Sequence, residues 1–251
     1  MKTKHLLTVA VAVSSLLTIT TRAGVLGSPH DFSSQSWNVE TADPQSVCSA
    51  CHVPHHADSS VIPLWSHQTT ASTFTMYNTA NVTALGDKAT SLQATIDAQP
   101  AGASKACLSC HDGTVAVNTY GGIGNYITHG TAAPLTNSAS LGTDLTHSHP
   151  ISLSYTPAVV GTGAGQDKWL YDPNTTPVLT PASGTFVPGN DMTINGFLLN
   201  GQNRLECTSC HDVHNQEGTP YNISSNPKLV KIVGVDASGK GSLLCRSCHN
   251  K

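Results

Sequence analysis

All eight cysteines of the 251-residue chain fall into four copies of one pattern. They are Cys48, Cys51 and His52; Cys107, Cys110 and His111; Cys207, Cys210 and His211; and Cys245, Cys248 and His249. Each reads C-x-x-C-H. Two thiols at this spacing can each form a thioether with one of the two vinyl groups of a haem. The imidazole that follows at once then lies under the ring and can ligate its iron. A single C-x-x-C-H would also suit a redox dithiol or half of a zinc site, and eight cysteines behind an export signal would first suggest disulfides. Four copies that consume every cysteine point instead to four covalent haem c groups. The eight cysteines are then the attachment points, and His52, His111, His211 and His249 the proximal ligands.

What occupies the other face of each iron decides the chemistry. An open sixth position binds small molecules, whereas two strong protein ligands make an electron carrier. Methionine is scarce: beyond Met1 there are only Met76 and Met192, which read as flexible apolar packing residues. Histidine is abundant, 13 against 12 Lys plus Arg, an excess that points to ligation. His30, His55, His56, His67, His129, His147, His149 and His214 lie outside the motifs. Bis-histidine ligation throughout predicts low potentials, since Met/His ligation is the combination that raises them.

Two of these histidines recur in position. His55 and His214 each follow a proximal His by three residues, in C-H-V-P-H and C-H-D-V-H. So close to their neighbour, they cannot reach the far face of their own haem and must serve another, which makes the two haems neighbours. In an extended T-H-S-H-P segment His147 and His149 share a face; Pro150 fixes the chain beside His149, with His147 as the alternative. His30, in S-P-H-D-F, lies seven residues into the expected mature chain, where a side chain ligates only if its segment is docked. His56, His67 and His129 stay open as ligands, although each singly reads as solvated or structural.

The elements that must position these groups are short. Asp43 as N-cap and Pro44 at the first helical position open a helix into Cys48, which Pro54 closes. Residues 87–98 carry Ala89, Leu92 and Ile96 at helical spacing. A turn of helix starts at Ser104 or Lys105 and ends at Gly113. Ser242 caps a last helix through Cys248. Strands are expected over residues 114–117, 151–155 and 229–235. From Gly113 to Gly201 the chain is rich in Gly and Pro and reads as irregular, a length of loop that ordinary compact domains avoid. Only 5% of residues are aromatic and 11% charged, so a side-chain core is hard to build. A buried haem face of several hundred Å² would contribute on the order of 10 kcal/mol at about 25 cal/mol/Å². The expectation is a mostly irregular, coil-rich multihaem cytochrome c with a haem-packed core, short helices at the attachment motifs and a few short strands. It would form a single domain over residues 24–251.

Lys2 and Lys4, an apolar run over residues 6–19, and small residues Thr21 and Ala23 read as a signal peptide, residues 1–23, cleaved before Gly24. The run falls short of the roughly 20 residues of a membrane span; an uncleaved anchor is the alternative. No later segment is long and apolar enough to span. The expected product is exported to the cell surface or extracellular space, with the periplasm as the alternative. A formal net charge of −3 leaves no electrostatic case for nucleic acid.

Taken in order, H-D-F-S, C-S-A-C-H-V-P-H, P-L-W, C-L-S-C-H-D-G-T, L-G-T-D-L, H-P-I-S, C-T-S-C-H-D-V-H and L-C-R-S-C-H resemble the multihaem cytochromes of metal-reducing bacteria. The likeness is nearest to the extracellular tetrahaem cytochrome nanowires of OmcE-like type, and His67 in P-L-W-S-H departs from their pattern. The resemblance implies head-to-tail copies stacked in a filament, a continuous haem chain, and external acceptors or other redox proteins as partners. It implies His30, His55, His149 and His214 as distal ligands, one of them from an adjoining copy in some relatives. A soluble periplasmic tetrahaem shuttle is the alternative, against which the low charge argues, because shuttles dock through charged faces. A haem enzyme with one open iron is the third reading. Every motif keeps its His and distal candidates are plentiful, so electron transfer without catalysis is expected.

Overall fold

The computed structural model describes residues 25–38, 46–77, 93–179, 192–214, 229–235, 239 and 241–250. The expected signal peptide, the Asp43–Pro44 helix opening and residues 87–92 lie outside these. Regular elements are few and short. Helices α1 (Ser46–Ser49), α2 (Gly102–His111), α3 (Cys207–Cys210) and α4 (Leu243–Cys248) each carry part or all of one C-x-x-C-H. Strands β1 (Thr119–Tyr120) and β2 (Ile127–Thr128) form one antiparallel hairpin, and β3 (Leu153–Ser154) pairs antiparallel with β4 (Arg204–Leu205). A 3₁₀ turn at Pro157–Val159 and a π-helical turn at Ile194–Leu198, capped by Thr193, complete the described elements.

Each helix sits at a C-x-x-C-H motif, three of them only four to six residues long and α2 ten. In three motifs the proximal His N–H donates to the carbonyl of the first cysteine: His52 to Cys48 (2.8 Å), His211 to Cys207 (3.0 Å) and His249 to Cys245 (2.9 Å). The fourth set, Cys107, Cys110 and His111, lies inside α2. In α2 all three residues are helical, and positions i, i+3 and i+4 share a helix face; in the third and fourth motifs the His backbone is already extended, at φ −112° for His211 and −100° for His249. The chain then leaves the turn at once. His52 bridges Trp65, His211 bridges Val230 and His249 bridges Leu170, each antiparallel. At α2 the exit is a turn instead, with Gly113 at φ +75°, a left-handed position that glycine adopts without strain.

Side chains form three small apolar clusters. The largest holds Leu153, Tyr155, Val178, Ile194, Leu198, Leu199, Leu205, Ile232 and Leu243. The second is Phe74, Met76, Leu108 and Leu145, and the third Val61, Trp65 and Ala106. Each touches an attachment helix, through Leu243 of α4 or Leu108 and Ala106 of α2. Met76 is a core residue here, and Met192 packs on the largest cluster.

Three expected elements differ. Residues 93–98 are extended, not helical: Asp97 N–H donates to Ser152 (2.9 Å), Ser154 N–H to Thr95 (3.1 Å), and Ile96 bridges Leu153. Backbone groups given to a neighbouring strand cannot close helical i−4 bonds. No continuous strand forms over 114–117, because the Asp112 carboxylate accepts from the Thr114 N–H (2.8 Å) and turns the chain; a single bridge joins Ala116 to Pro134, and the paired strand starts at Thr119. Residues 229–235 make single bridges, Val230 to His211 and Val235 to Ser242, with Gly234 at φ +112° between them.

Candidate metal centres

An imidazole nitrogen stands about 2.0 Å from a metal that it ligates. Its ring centroid lies about 1.1 Å further on, so two imidazoles trans on one iron have centroids about 6.2 Å apart. Three histidine pairs have this spacing. His30 and His111 are 5.9 Å apart, His52 and His214 6.1 Å, and His149 and His249 6.3 Å. Each pair joins the terminal His of one motif to a histidine outside the motifs. His214 stands against the first motif's His52, not against His211 three residues before it.

The ring nitrogens are prepared for such a role. His111 Nδ1 lies 2.9 Å from the Ala139 carbonyl and His149 Nδ1 2.9 Å from the Pro150 carbonyl. Donation from Nδ1–H fixes the tautomer and leaves the Nε2 lone pair for a metal. His30 Nδ1 is buried with no hydrogen-bond partner, an orphan that ligation would satisfy. Burial, with His111 and His211 nearby, lowers the His30 pKa to about 4, so its ring is neutral and able to ligate near pH 7. Asp212 accepts from the His214 N–H (3.0 Å), an Asx turn that sets the direction of the His214 segment. His55 and His211, both exposed, are the histidines of the two C-H-x-x-H segments that do not belong to these three pairs.

The other histidines are placed differently. His67 is buried, with Nδ1 2.8 Å from the Gln68 carbonyl and Nε2 3.0 Å from the Ala116 carbonyl. Nε2 also lies 3.4 Å from Cys110 Sγ; burial lowers the pKa of the ring, so the neutral imidazole donates to one of the two carbonyls and packs between the 65–68 segment and the second motif. His129 stacks on Tyr120 with centroids 4.0 Å apart. His147 is exposed and 3.9 Å from Asp144. His56 is exposed, at φ +61°.

The second cysteine of each motif is held protonated by burial. Its thiol is pushed up to about 11 in Cys51 and Cys210 and to about 12 in Cys248, and higher in Cys110. Cys207, the first cysteine of the third motif, is shifted the other way, lowered by its hydrogen bond with Cys107. Thiols of successive motifs also lie near one another. Cys51 is within electrostatic reach of Cys107 and Cys110, Cys107 hydrogen-bonds Cys207, and Cys210 is within reach of Cys245 and Cys248. The four C-x-x-C-H motifs therefore adjoin in chain order.

No protein-family model matches this chain, and no curated protein matches it. Among the described residues no three His, Cys, Asp or Glu side chains converge, as a metal site built from protein ligands alone would need. The residues come together in pairs instead, and a haem, which brings its own four ring nitrogens, needs only a pair. The residues present fit that group.

The sequence reading missed the groups that hold the sites in place. Ser109, Ser209 and Ser247 occupy the position before the second cysteine in three motifs, and all are buried. Ser109 donates to the Lys105 carbonyl and accepts from the Thr70 N–H. Ser247 donates to the Leu243 carbonyl and accepts from the Leu179 N–H. Ser209 accepts from the Glu206 N–H in a capping box. The recurrence of C-x-S-C-H was the available signal. Ser104 of α2 donates to the Glu206 carboxylate and accepts from the Cys207 N–H (3.0 Å). That network locks the second motif to the third, and it had no sequence signature.

Proposed function

We propose that this chain is a tetrahaem c-type cytochrome that transfers electrons through four bis-histidine irons, as a subunit of an extracellular filament. The observation that carries the reading is the set of three imidazole pairs, each at the spacing of two ligands on one iron and each ending on a C-x-x-C-H histidine. In this reading His111 pairs with His30, His52 with His214 and His249 with His149. The exchange between the two C-H-x-x-H segments leaves His55 for His211. Bound haem supplies the one-electron ferric/ferrous couple. The chain's residues do the rest: the thiols fix the ring at two points, paired imidazoles close both faces to small molecules, and Nδ1 donation to the Ala139 and Pro150 carbonyls orients two of them.

Adjoining attachment sites support transfer along the chain in motif order. The filament reading rests on the resemblance to nanowire cytochromes and on the low surface charge, since a head-to-tail contact that does not close makes a fibre. Among the described residues no helix is long and apolar enough to cross a membrane. The test is potentiometric titration of purified holoprotein with negative-stain microscopy of the same sample. Four low-potential, low-spin haems in filaments are expected. Strictly monomeric particles under all conditions would refute the filament and leave a shuttle, and a high-spin haem in the oxidised protein would refute closed ligation.

A further inference from the structure

We propose that Trp37 and Tyr120 are positioning residues that hold His30 against His111, and so keep the second motif's iron closed. The inference rests on His30 being that iron's distal ligand. His30 differs from the other distal histidines in how it is held. His214 lies three residues from a thioether-anchored motif, and His149 is turned by its bond to the Pro150 carbonyl. His30 lies on the 25–38 segment, which carries no attachment motif.

Among the described residues, every hydrogen bond of residues 25–37 is made within 25–38. The backbone bonds run from Ser28 to Val25, Asp31 to Ser28, Gln35 to Phe32 and Asn38 to Gln35. The Asp31 carboxylate accepts from the Gly27 N–H (2.7 Å) and the Ser33 N–H (3.0 Å), and Asn38 Nδ2 donates to the Phe32 carbonyl. These bonds shape residues 25–37 without tying them to the rest of the chain, and buried Asn38 follows them.

The attachment is aromatic. His30 meets Phe32 edge-on at 6.5 Å, Phe32 meets Trp37 at 5.4 Å, and Trp37 meets Tyr120 at 6.3 Å. Trp37 also lies over Gly130, where a Cβ would sit 3.6 Å from its own. The platform beneath is fixed. Tyr120 is buried in β1 and stacked on His129. Asn118, buried, donates to the His129 (2.6 Å) and Thr131 (2.7 Å) carbonyls and accepts from the Ala133 N–H (3.0 Å). A rigid hairpin thus receives a segment that brings its own shape and one large ring to the contact. Trp37 is the side chain whose loss removes the aromatic contact to the hairpin without touching any ligand or cysteine.

The test uses matured holoprotein variants whose intact mass shows four haems. Carbon monoxide uptake after reduction and the high-spin band when oxidised are the readouts. His30→Ala opens one haem per chain. Trp37→Ala opens the same one, Trp37→Leu opens it in part, and Tyr120→Leu follows Trp37→Leu. Millimolar imidazole closes it again. If both Trp37 variants stay as closed as the parent while His30→Ala opens one haem, the positioning role is overturned. If His30→Ala opens none, the ligand assignment itself falls. Opening of more than one haem by Trp37→Leu would mean general loosening and would also overturn the proposal.

Discussion

Replacing His214 by alanine removes one of the two rings that stand 6.1 Å apart at the first motif. Alanine ends at Cβ, so nothing at that position reaches an iron held by His52. One open iron and three closed ones are expected per chain. After reduction, carbon monoxide then binds about one haem in four, and about a quarter of the oxidised spectrum becomes high-spin. The tether sets how hard the lost ring is to replace. His214 follows a covalent attachment site by three residues and is aimed by the Asp212 turn (3.0 Å). A ligand so held acts at an effective concentration on the order of millimolar or above, so free imidazole is needed at that level to restore the spectrum. His147→Ala is the control: the ring is exposed and stands 3.9 Å from Asp144, so its loss opens no iron. Four low-spin haems in His214→Ala would refute the pairing. So would an open iron that disappears when Cys207 and Cys210, not Cys48 and Cys51, are replaced.

Further outcomes follow from the same geometry. The His30 pKa falls from 6.5 to about 4 on folding, so between those values the unfolded chain binds the extra proton. Its stabilising contribution is complete above pH 6.5 and is lost as pH falls towards 4, on the order of 3 kcal/mol. The denaturant midpoint of the parent should fall relative to that of His30→Gln over that window, and parallel curves would contradict burial of a neutral ring at His30. Ser104→Ala removes the hydroxyl between Glu206 and the Cys207 N–H and should cost about 1–3 kcal/mol in chemical unfolding; an unchanged midpoint would show that α2 and α3 are tied elsewhere. The His52 and His214 rings are 17° apart in plane and those of His149 and His249 71°. Near-parallel ligands split the iron π orbitals and give a rhombic low-spin resonance, and near-perpendicular ones a strongly anisotropic signal. His214→Ala should remove the first and His149→Ala the second from the paramagnetic resonance spectrum.

The parts of the site that are local in sequence could be read from it. C-x-x-C-H is complete within one helical turn, and the α2 exit at Gly113 obeys a short-range rule; α4 starts after Ser242 as expected, but the Ser242 side chain makes no cap hydrogen bond. What could not be read depends on contacts distant in sequence. Ile96 sits at helical spacing from Ala89 and Leu92, yet over residues 93–98 the backbone pairs with 152–154. His67 looks like any ligand until two carbonyls, one of them 49 residues away, are seen at its ring. The C-H-x-x-H spacing excludes its own haem as the target of His214. That the ring meets His52 and no other proximal histidine is a tertiary fact. So is the docking of His30, whose segment is shaped locally but held by Trp37 and Tyr120. The expected scarcity of side-chain core was also incomplete, because three small clusters brace the attachment helices.

The central claim is that every cysteine pair carries a covalent haem. The most direct measurement is the intact mass of protein purified from a host able to attach haem c, taken under denaturing conditions with a thiol-alkylating reagent present. Four haem masses and no alkylation are predicted, with one haem fewer when both cysteines of any one motif become alanine. A chain at its bare polypeptide mass with eight alkylated thiols, or with four disulfides, would contradict the account.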